Sequence, residues 1–336
     1  MSLFRAETRR LGKRRFTKVM VVGCLLVLAA IAIGMFVTNQ KVGRAEVARA
    51  QARAEQDYEQ AVRDTDQQRQ QCQAAHGTPE APNFPPDCLG ITPPSPEDFD
   101  YQWYMPGTFD FHKGFPEMVT VLAAILAVGA FVVGASFVGA EWTSGGMMNL
   151  LLWRPQRIRV LGTKLAALLA GTAALAVVAS LVWTMVFQLI AVLRGSTAGM
   201  TAGSWLSLAL LEVRALVLVL VAAALGFALA SLGRHTAMAM GVVVGVIVLF
   251  QFGLATVLAV ADVKFAELYL IPVWTEAWLN KQVKLEHYNA CSSAVGQFCR
   301  PETLTITWQM AGGVFVAVVA LVVGAAMWTI RSRDVT

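Results

Sequence analysis

The chain has 336 residues, of which 56% are hydrophobic and only 15% charged, with a mean hydropathy of +0.57. Soluble domains run at roughly 45–50% apolar and about 25% charged residues, so this balance excludes an ordinary soluble protein and points to an integral membrane protein. The net charge of +5 collects at the ends of apolar runs and forms no basic stripe interleaved with aromatics, which excludes nucleic acid as a partner.

Residues 1–17 are basic, with Arg5, Arg9, Arg10, Lys13, Arg14 and Arg15 against a single acid, Glu7. The apolar run at 18–38 that follows has no small-residue cleavage pattern after it, so it reads as a retained span and not as a signal peptide. A spanning helix needs about 20 mostly apolar residues, and five further runs meet this length, at 117–140, 165–193, 206–232, 236–261 and 306–330. Glu212 and Arg214 lie near the start of the fourth span. They leave open a short interfacial helix from Ser204 to Arg214 ahead of a shorter span. Two residues apart, they point in different directions on a helix.

Six spans place the basic N-terminus, Arg154, Arg157, Arg159 and Lys164, Arg234, and the tail 331–336 with Arg331 and Arg333 on one side. The positive-inside rule makes that side cytoplasmic, with both termini inside a cytoplasmic membrane of bacterial type. Segment 39–116 then faces outward. Its residues 39–115 hold seven basic and twelve acidic residues.

Gln40 to Ala75 is rich in Ala, Gln, Glu and Arg and reads as a helix. It either continues the first span outward as a stalk of about 50 Å, at 1.5 Å per residue, or folds back. Ala45, Ala48 and Ala52, with Val42 and Val47, give it a weakly apolar face. A Pro-rich stretch from Ala81 to Phe99 is expected to be irregular. The aromatic cluster of Phe99, Tyr101, Trp103, Tyr104, Phe109, Phe111 and Phe115 is either a membrane-interface belt or the rim of a substrate pathway. In the second outer loop, 262–305, a Pro272-broken apolar stretch suggests helices that dip into the membrane. Trp274 and Trp278 share a helix face there.

Cys72, Cys88, Cys291 and Cys299 all fall on the outer side, where disulfides form. Four cysteines allow three pairings, and the local ones, Cys72–Cys88 and Cys291–Cys299, are expected. Irregular spacing and the lack of a histidine at ligand spacing argue against a metal site.

The segment Glu141–Lys164 interrupts the spans on the cytoplasmic side. It opens with a carboxylate and Trp142, Thr143, Ser144 and Gly145. It continues through Met147, Met148, Leu151 and Leu152, breaks at Pro155 and ends in Arg157, Arg159 and Lys164. Such a sequence suits a short helix lying at the membrane surface, a natural handle for a soluble partner. The chain carries no P-loop pattern, no Ser/His/Asp set and no HExxH, so it holds no nucleotide, metal or cofactor by any motif and reads as a non-enzyme. Its spans hold almost no ionisable groups, which argues against a proton or sodium motor.

With six spans, both termini inside and a basic N-terminus, the segment resembles the transmembrane subunit of an ABC type-2 exporter. That family has a carboxylate at the inner end of the second span, a Gly, paired Leu, then Pro, Arg and Lys. Here these are Glu141, Gly145, Leu151, Leu152, Pro155, Arg157 and Lys164. The resemblance implies a coupling helix at about 142–153 that docks into a separate ABC ATPase, which would bind ATP and Mg. It implies an interfacial helix before the first span, with an apolar face supplied by Leu3, Phe4, Leu11 and Phe16, and outer re-entrant helices near 263–280. Gly146 departs from the Thr common in the family, and the loop 39–116 exceeds its minimal form.

The fold class expected is therefore an all-α integral membrane protein. It has six transmembrane helices, an N-terminal interfacial helix, a cytoplasmic coupling helix and a large extracellular helical loop. Two copies, each with an ATPase, would export an amphiphilic small molecule, antibiotic or peptide. In that scheme Glu141 would stabilise the start of the coupling helix, and the arginines would touch acidic lipid or the partner. The alternative is a non-transporting sensor or scaffold whose outer domain binds a ligand and signals through the same ATPase.

Overall fold

The computed structural model describes residues 3–75, 84–85, 88, 90–147, 156–287 and 302–332. In chain order the helices are α1 (Leu3–Lys13), α2 (Arg15–Thr38), α3 (Arg44–Ala75), α4 (Phe111–Thr143), α5 (Arg157–Arg194), α6 (Ala202–Gly233), α7 (Thr236–Val260), α8 (Ile271–Leu279) and α9 (Trp308–Ser332). Four short strands accompany them: β1 (Phe109–Asp110), β2 (Gly195–Ser196), β3 (Gln282–His287) and β4 (Glu302–Thr307). Six helices, α2, α4, α5, α6, α7 and α9, are long and apolar enough to cross a membrane. The protein is an all-α integral membrane protein with two small sheets. The chain divides into two compact units, Met1–Ile31 with His112–Phe187 and Gly199–Thr336, and Ala32–Phe111 with Gln188–Ala198.

The first unit is built on a crossing of α4 and α6. A Cβ on Gly134 would run into the backbone of Ala223 and Phe227, and one on Gly226 into the backbone at Phe131. Glycine on both helices lets the two backbones touch, the close approach that helix packing in lipid depends on. Around the crossing, Ala135, Phe137 and Val138 of α4 join Leu161 and Leu168 of α5, Val219, Ala223 and Phe227 of α6, and Ile330 of α9 in one buried cluster. The GxxxG pair Gly241 and Gly245 on α7 has no atom within 4 Å of either Cβ position, so it packs no helix among the described residues. Within α7, Ile247–Leu254 is π-helical.

α6 is continuous. Thr201 caps it by accepting a hydrogen bond from the Ser204 N–H at 3.2 Å, and no separate interfacial helix forms before the span. It stops at Gly233, where Arg234 takes a left-handed conformation (φ 54°) and His235 Nδ1 caps α7 through the Ala237 N–H.

The stretch after α7 contains a feature not anticipated above. α8 is followed by an antiparallel hairpin, β3 with β4, in the register Val283↔Ile306 and Leu285↔Leu304. The alternation of Val283 and Leu285, and of Leu304 and Ile306, is a strand signal hidden by the apolar segments on either side. The hairpin packs on α8 through Val273, Ala277, Leu285 and Ile306. Trp274 donates to the Leu268 carbonyl and Trp278 to the Arg214 carbonyl, both at 2.9 Å. Both indoles are thus held by protein backbone. Cys291 and Cys299 lie outside the described residues.

In the second unit, α2 does not run on into a stalk. Gly43 is the N-cap of α3, and Glu46 reaches back to its N–H at 3.0 Å, half of a capping box. The Gln40 N–H donates to the Gly107 carbonyl at 2.8 Å. α3 is covered by two 3-10 turns, Pro96–Phe99 and Tyr101–Tyr104. The end of the Pro-rich stretch is thus regular, because Ser95 and Asp98 form a reciprocal cap. Ala45, Ala48 and Ala52 are exposed, whereas Ala50 and Ala54 are buried. The returning chain thus selects a different stripe from the one composition suggested. Tyr58 packs edge-on against Phe99 at 5.8 Å, and the Asp57 carboxylate, hydrogen-bonded to the Tyr104 phenol, raises the phenol's pKa. The expected Cys72–Cys88 disulfide is present, with the Cα atoms 5.9 Å apart. β1 and β2 pair in parallel at Phe109↔Gly195 and Asp110↔Ser196.

Gly134→Ala or Gly226→Ala forces the helices apart and lowers stability by about 1–3 kcal/mol, the usual cost of overpacking. Gly241→Ala, which meets open space inside a helix, does not lower the denaturation midpoint of the purified chain and raises it slightly, since alanine is favoured there by about 0.5–1 kcal/mol. Cys72→Ser removes a cross-link closing a loop of 16 residues, worth about 3 kcal/mol. Hydrogen exchange should therefore rise in α3 and stay constant in α4 and α6.

Candidate functional site

The polar centre of the first unit sits where α1, the α1–α2 elbow, α4 and α5 meet. Lys164, two turns into α5, is fully buried. Its Nζ lies 2.8 Å from Glu7 Oε2 of α1 and 2.6 Å from Glu141 Oε2 of α4. Glu7 is also fully buried. Arg14, the single residue between α1 and α2, contributes the other half. Its guanidinium lies 2.8 Å from Glu141 Oε1 and donates to the carbonyls of Ser136 and Phe137 at 3.1 and 3.0 Å. The Phe137 ring lies beside both cations, 4.9 Å from the Arg14 guanidinium and 5.3 Å from the Lys164 ammonium. Arg10 adds a long contact of 3.4 Å to Glu7.

Local chemistry explains why these residues come together. Glu141 occupies the last turn of α4, where the helix dipole is already negative, so a carboxylate there needs cations. Arg14 supplies one and also satisfies carbonyls of the helix, while Lys164 supplies the second. Glu7, four residues before Leu11, shares the inward face of α1 with it, and Leu11 packs into the main cluster. Phe4 and Phe16, expected on an apolar face with Leu11, are exposed at 39% and 46%. The inward face of α1 is therefore ionic as well as apolar.

The Glu141–Lys164 segment leaves this centre and returns to it. Trp142 is buried, with the Arg234 guanidinium 5.1 Å from its ring. Thr143, Ser144 and Gly145 are exposed. Gly145 adopts φ 71° and donates its N–H to the Trp142 carbonyl at 3.2 Å, the left-handed glycine ending usual for a helix. Helical structure resumes at Gly146–Met147, and Met147 is fully buried in the core cluster. Met148, Leu151, Leu152, Arg154 and Pro155 lie outside the described residues. Beyond them, Arg157 donates to the Ile330 carbonyl at 3.4 Å. Arg157 and Arg159 line a shallow basic groove of about 480 Å³ with Gln156 and Arg331.

Of the residues singled out in the sequence, Thr143, Ser144 and Gly145 face outward. Glu141 and Lys164 are drawn together in the charge centre, and Trp142 and Met147 belong to the core. Glu141 sits at the end of α4, where its charge answers Arg14 and Lys164. Sequence reasoning passed over Glu7, Arg14 and Phe137 as centre residues. The available signal was Glu7 itself, the lone acid inside a run of cations.

A family model described as ABC-2 family transporter protein matches residues 1–334. The chain belongs to that family. It is a permease subunit of an ABC transporter, a transmembrane transport component whose family implies an ABC ATPase as partner. No curated protein and no solved structure matches the chain.

Lys164→Met leaves the buried Glu7 and the part-buried Glu141 without their shared cation, though Glu141 keeps Arg14. The expected loss is about 3–5 kcal/mol, as for other buried pairs broken on one side, read as a fall in the denaturation midpoint. The double variant Lys164→Met/Glu7→Gln recovers part of that loss. Equal midpoints for the single and double variants would show that Glu7 carries no charge coupled to Lys164.

Proposed function

We propose that this chain is the permease half of an ATP-driven exporter of amphiphilic compounds, and that the 142–153 segment, helical again from Gly146, is the coupling segment that receives the stroke of a separate ATPase. The observation that carries this reading is the Glu7–Lys164–Glu141–Arg14 centre. Both flanks of the segment, Glu141 before it and Lys164 after it, are ion-paired to one another and to α1 and the α1–α2 elbow. A push on the segment is therefore passed to α1, α4 and α5 together and is not absorbed in a loose loop. The exposed Thr143–Gly145 turn offers the ATPase its first contact. ATP and Mg belong to that partner.

The basic groove of Arg157, Arg159 and Arg331 supports a cytoplasmic position for this end, since cations near span ends favour that side and meet anionic headgroups there. Both termini are then cytoplasmic, and the unit containing α3 faces outward, in keeping with its disulfide. A second copy of the chain completes the transporter. The open Gly241–Gly245 face on α7 is a candidate surface for it. The disulfide-stapled α3 unit favours a second reading, in which the outer unit senses a ligand and the chain transports nothing.

The test is co-purification with an ABC ATPase subunit from the same cells. Ser144→Trp, at an exposed site, should reduce recovered ATPase at least about tenfold while leaving the denaturation midpoint of the permease unchanged. Retention of the ATPase by this variant and by a deletion of 147–152 would reject the coupling assignment. Reconstituted pairs that hydrolyse ATP yet move no amphiphile would favour the sensor.

A further inference from the structure

Glu212 is an acid on α6, ten residues in from Ala202, on a helix long and apolar enough to cross a membrane. Ionisable side chains in such segments are either paired or mark a path for substrate or ions. Among the described residues, no cation lies within ion-pair distance of Glu212. Its recorded partner is Thr184 of α5, whose hydroxyl lies 2.5 Å from Glu212 Oε1. The nearest base in sequence, Arg214, is committed elsewhere. Its guanidinium donates to the Leu279 carbonyl at 3.0 Å and lies 5.9 Å from the Trp308 ring centre.

Glu212 lines a cleft of about 220 Å³ between α4, α5 and α6. Leu122 and Val219 are buried in its lining, and Leu126 and Leu216 are half-buried. Among the described residues, Ser180 is the only other polar residue in that lining. On the rim, Val177, Leu181 and Val213 are 45%, 54% and 56% exposed, so the cleft opens sideways through an apolar margin. One carboxylate in an apolar groove with a lateral mouth calls for a ligand with one positive charge and an apolar body. The volume is below the roughly 300–1,000 Å³ of sites that enclose a whole drug-sized molecule. It suits a charged head and the first part of a chain, with the remainder running over the rim.

We infer that the Glu212 cleft binds the cationic head of an amphiphilic ammonium compound arriving from the plane of the bilayer. The inference rests on the transport reading and names the substrate class for it. The carboxylate faces the ammonium, Leu126, Leu216 and Val219 hold the adjoining methylenes, and Ser180 and Thr184 offer hydroxyls beside the charge. A neutral amphiphile of the same length gains the apolar contacts and loses the ion pair. The competing role for Glu212 is structural, a neutral carboxyl that joins α6 to α5 through Thr184. In that role Thr184 donates to the Ser180 carbonyl, 2.9 Å from its Oγ1, and the carboxyl O–H donates to Thr184 Oγ1, an arrangement that needs no bound cation and that the variants below separate from cation binding.

The experiment is binding of radiolabelled dodecyltrimethylammonium to the full chain in nanodiscs of neutral lipid. Empty discs give the background, and dodecanol is the uncharged comparison. The wild type should show saturable binding of the cation above background and no such excess for dodecanol. Glu212→Gln, which keeps a hydrogen-bond acceptor for Thr184, should weaken cation binding at least about tenfold. Glu212→Asp should retain most of it, and Thr184→Val should change it less than threefold. Absence of saturable cation binding in the wild type, equal excess for dodecanol, unchanged binding by Glu212→Gln, or an equal loss in Thr184→Val would each overturn the inference. No ATPase is present in these discs, so failure here is separate from failure of the coupling assignment, which is read from co-purification.

Discussion

Lys164 is a charge placed where no water reaches it. Moving an ammonium from water into a protein interior costs several kcal/mol, and the cost is recovered only when partners of good geometry surround the ion. Here the partners are two carboxylates from two different helices, and one of those carboxylates is held in turn by Arg14. Lys164 and Glu7, both fully buried, each need the other as an ionic partner. The consequence is positional: α1 cannot leave the end of α4, and α5 cannot begin anywhere else, without exposing an unpaired buried charge. Such a centre contributes little net stability compared with an apolar core of the same volume. What it fixes is register among three helices.

That fixed register gives the Glu141–Lys164 segment its meaning. A segment whose two flanks, Glu141 and Lys164, are tethered to the same ionic centre moves with the helices that bear them. The Gly134 and Gly226 contacts then carry the connection from α4 into α6, because two backbones in direct contact leave no soft side chains between them to absorb a displacement. α7 differs. Among the described residues its apolar side chains from Thr236 to Val260 find almost no cover, the Gly241 and Gly245 positions meet open space, and its middle is π-helical. Lipid or another protein surface must complete this face.

The α3 unit follows a separate logic. Its long helix has few apolar residues, and Ala50 and Ala54 bury little area each. It is held by the Cys72–Cys88 cross-link, by Arg69 donating to the Ile91 carbonyl at 2.8 Å, and by the aromatic returns at Phe99 and Tyr104. A small unit with a thin core commonly relies on a cross-link of this kind.

The six apolar runs, the basic ends beside them and the Glu–Gly–Leu–Leu–Pro–Arg–Lys order of the cytoplasmic segment were all legible in the sequence. They depend on local hydropathy, charge and spacing, which each residue carries wherever the chain goes. The Cys72–Cys88 pairing was legible for the same reason, since its partners lie close along the chain. The ionic centre was not legible, because Glu7, Arg14, Glu141 and Lys164 are separated by up to 157 positions and only packing of α1 against α4 and α5 makes them neighbours. The stripe of α3 that is buried, the β3–β4 hairpin and the solitary state of Glu212 were also decided in three dimensions. In each case the deciding partner comes from a distant part of the chain. For Glu212 it is the absence of such a partner among the described residues, because Arg214, though only two positions away, turns to the Leu279 carbonyl and the Trp308 ring.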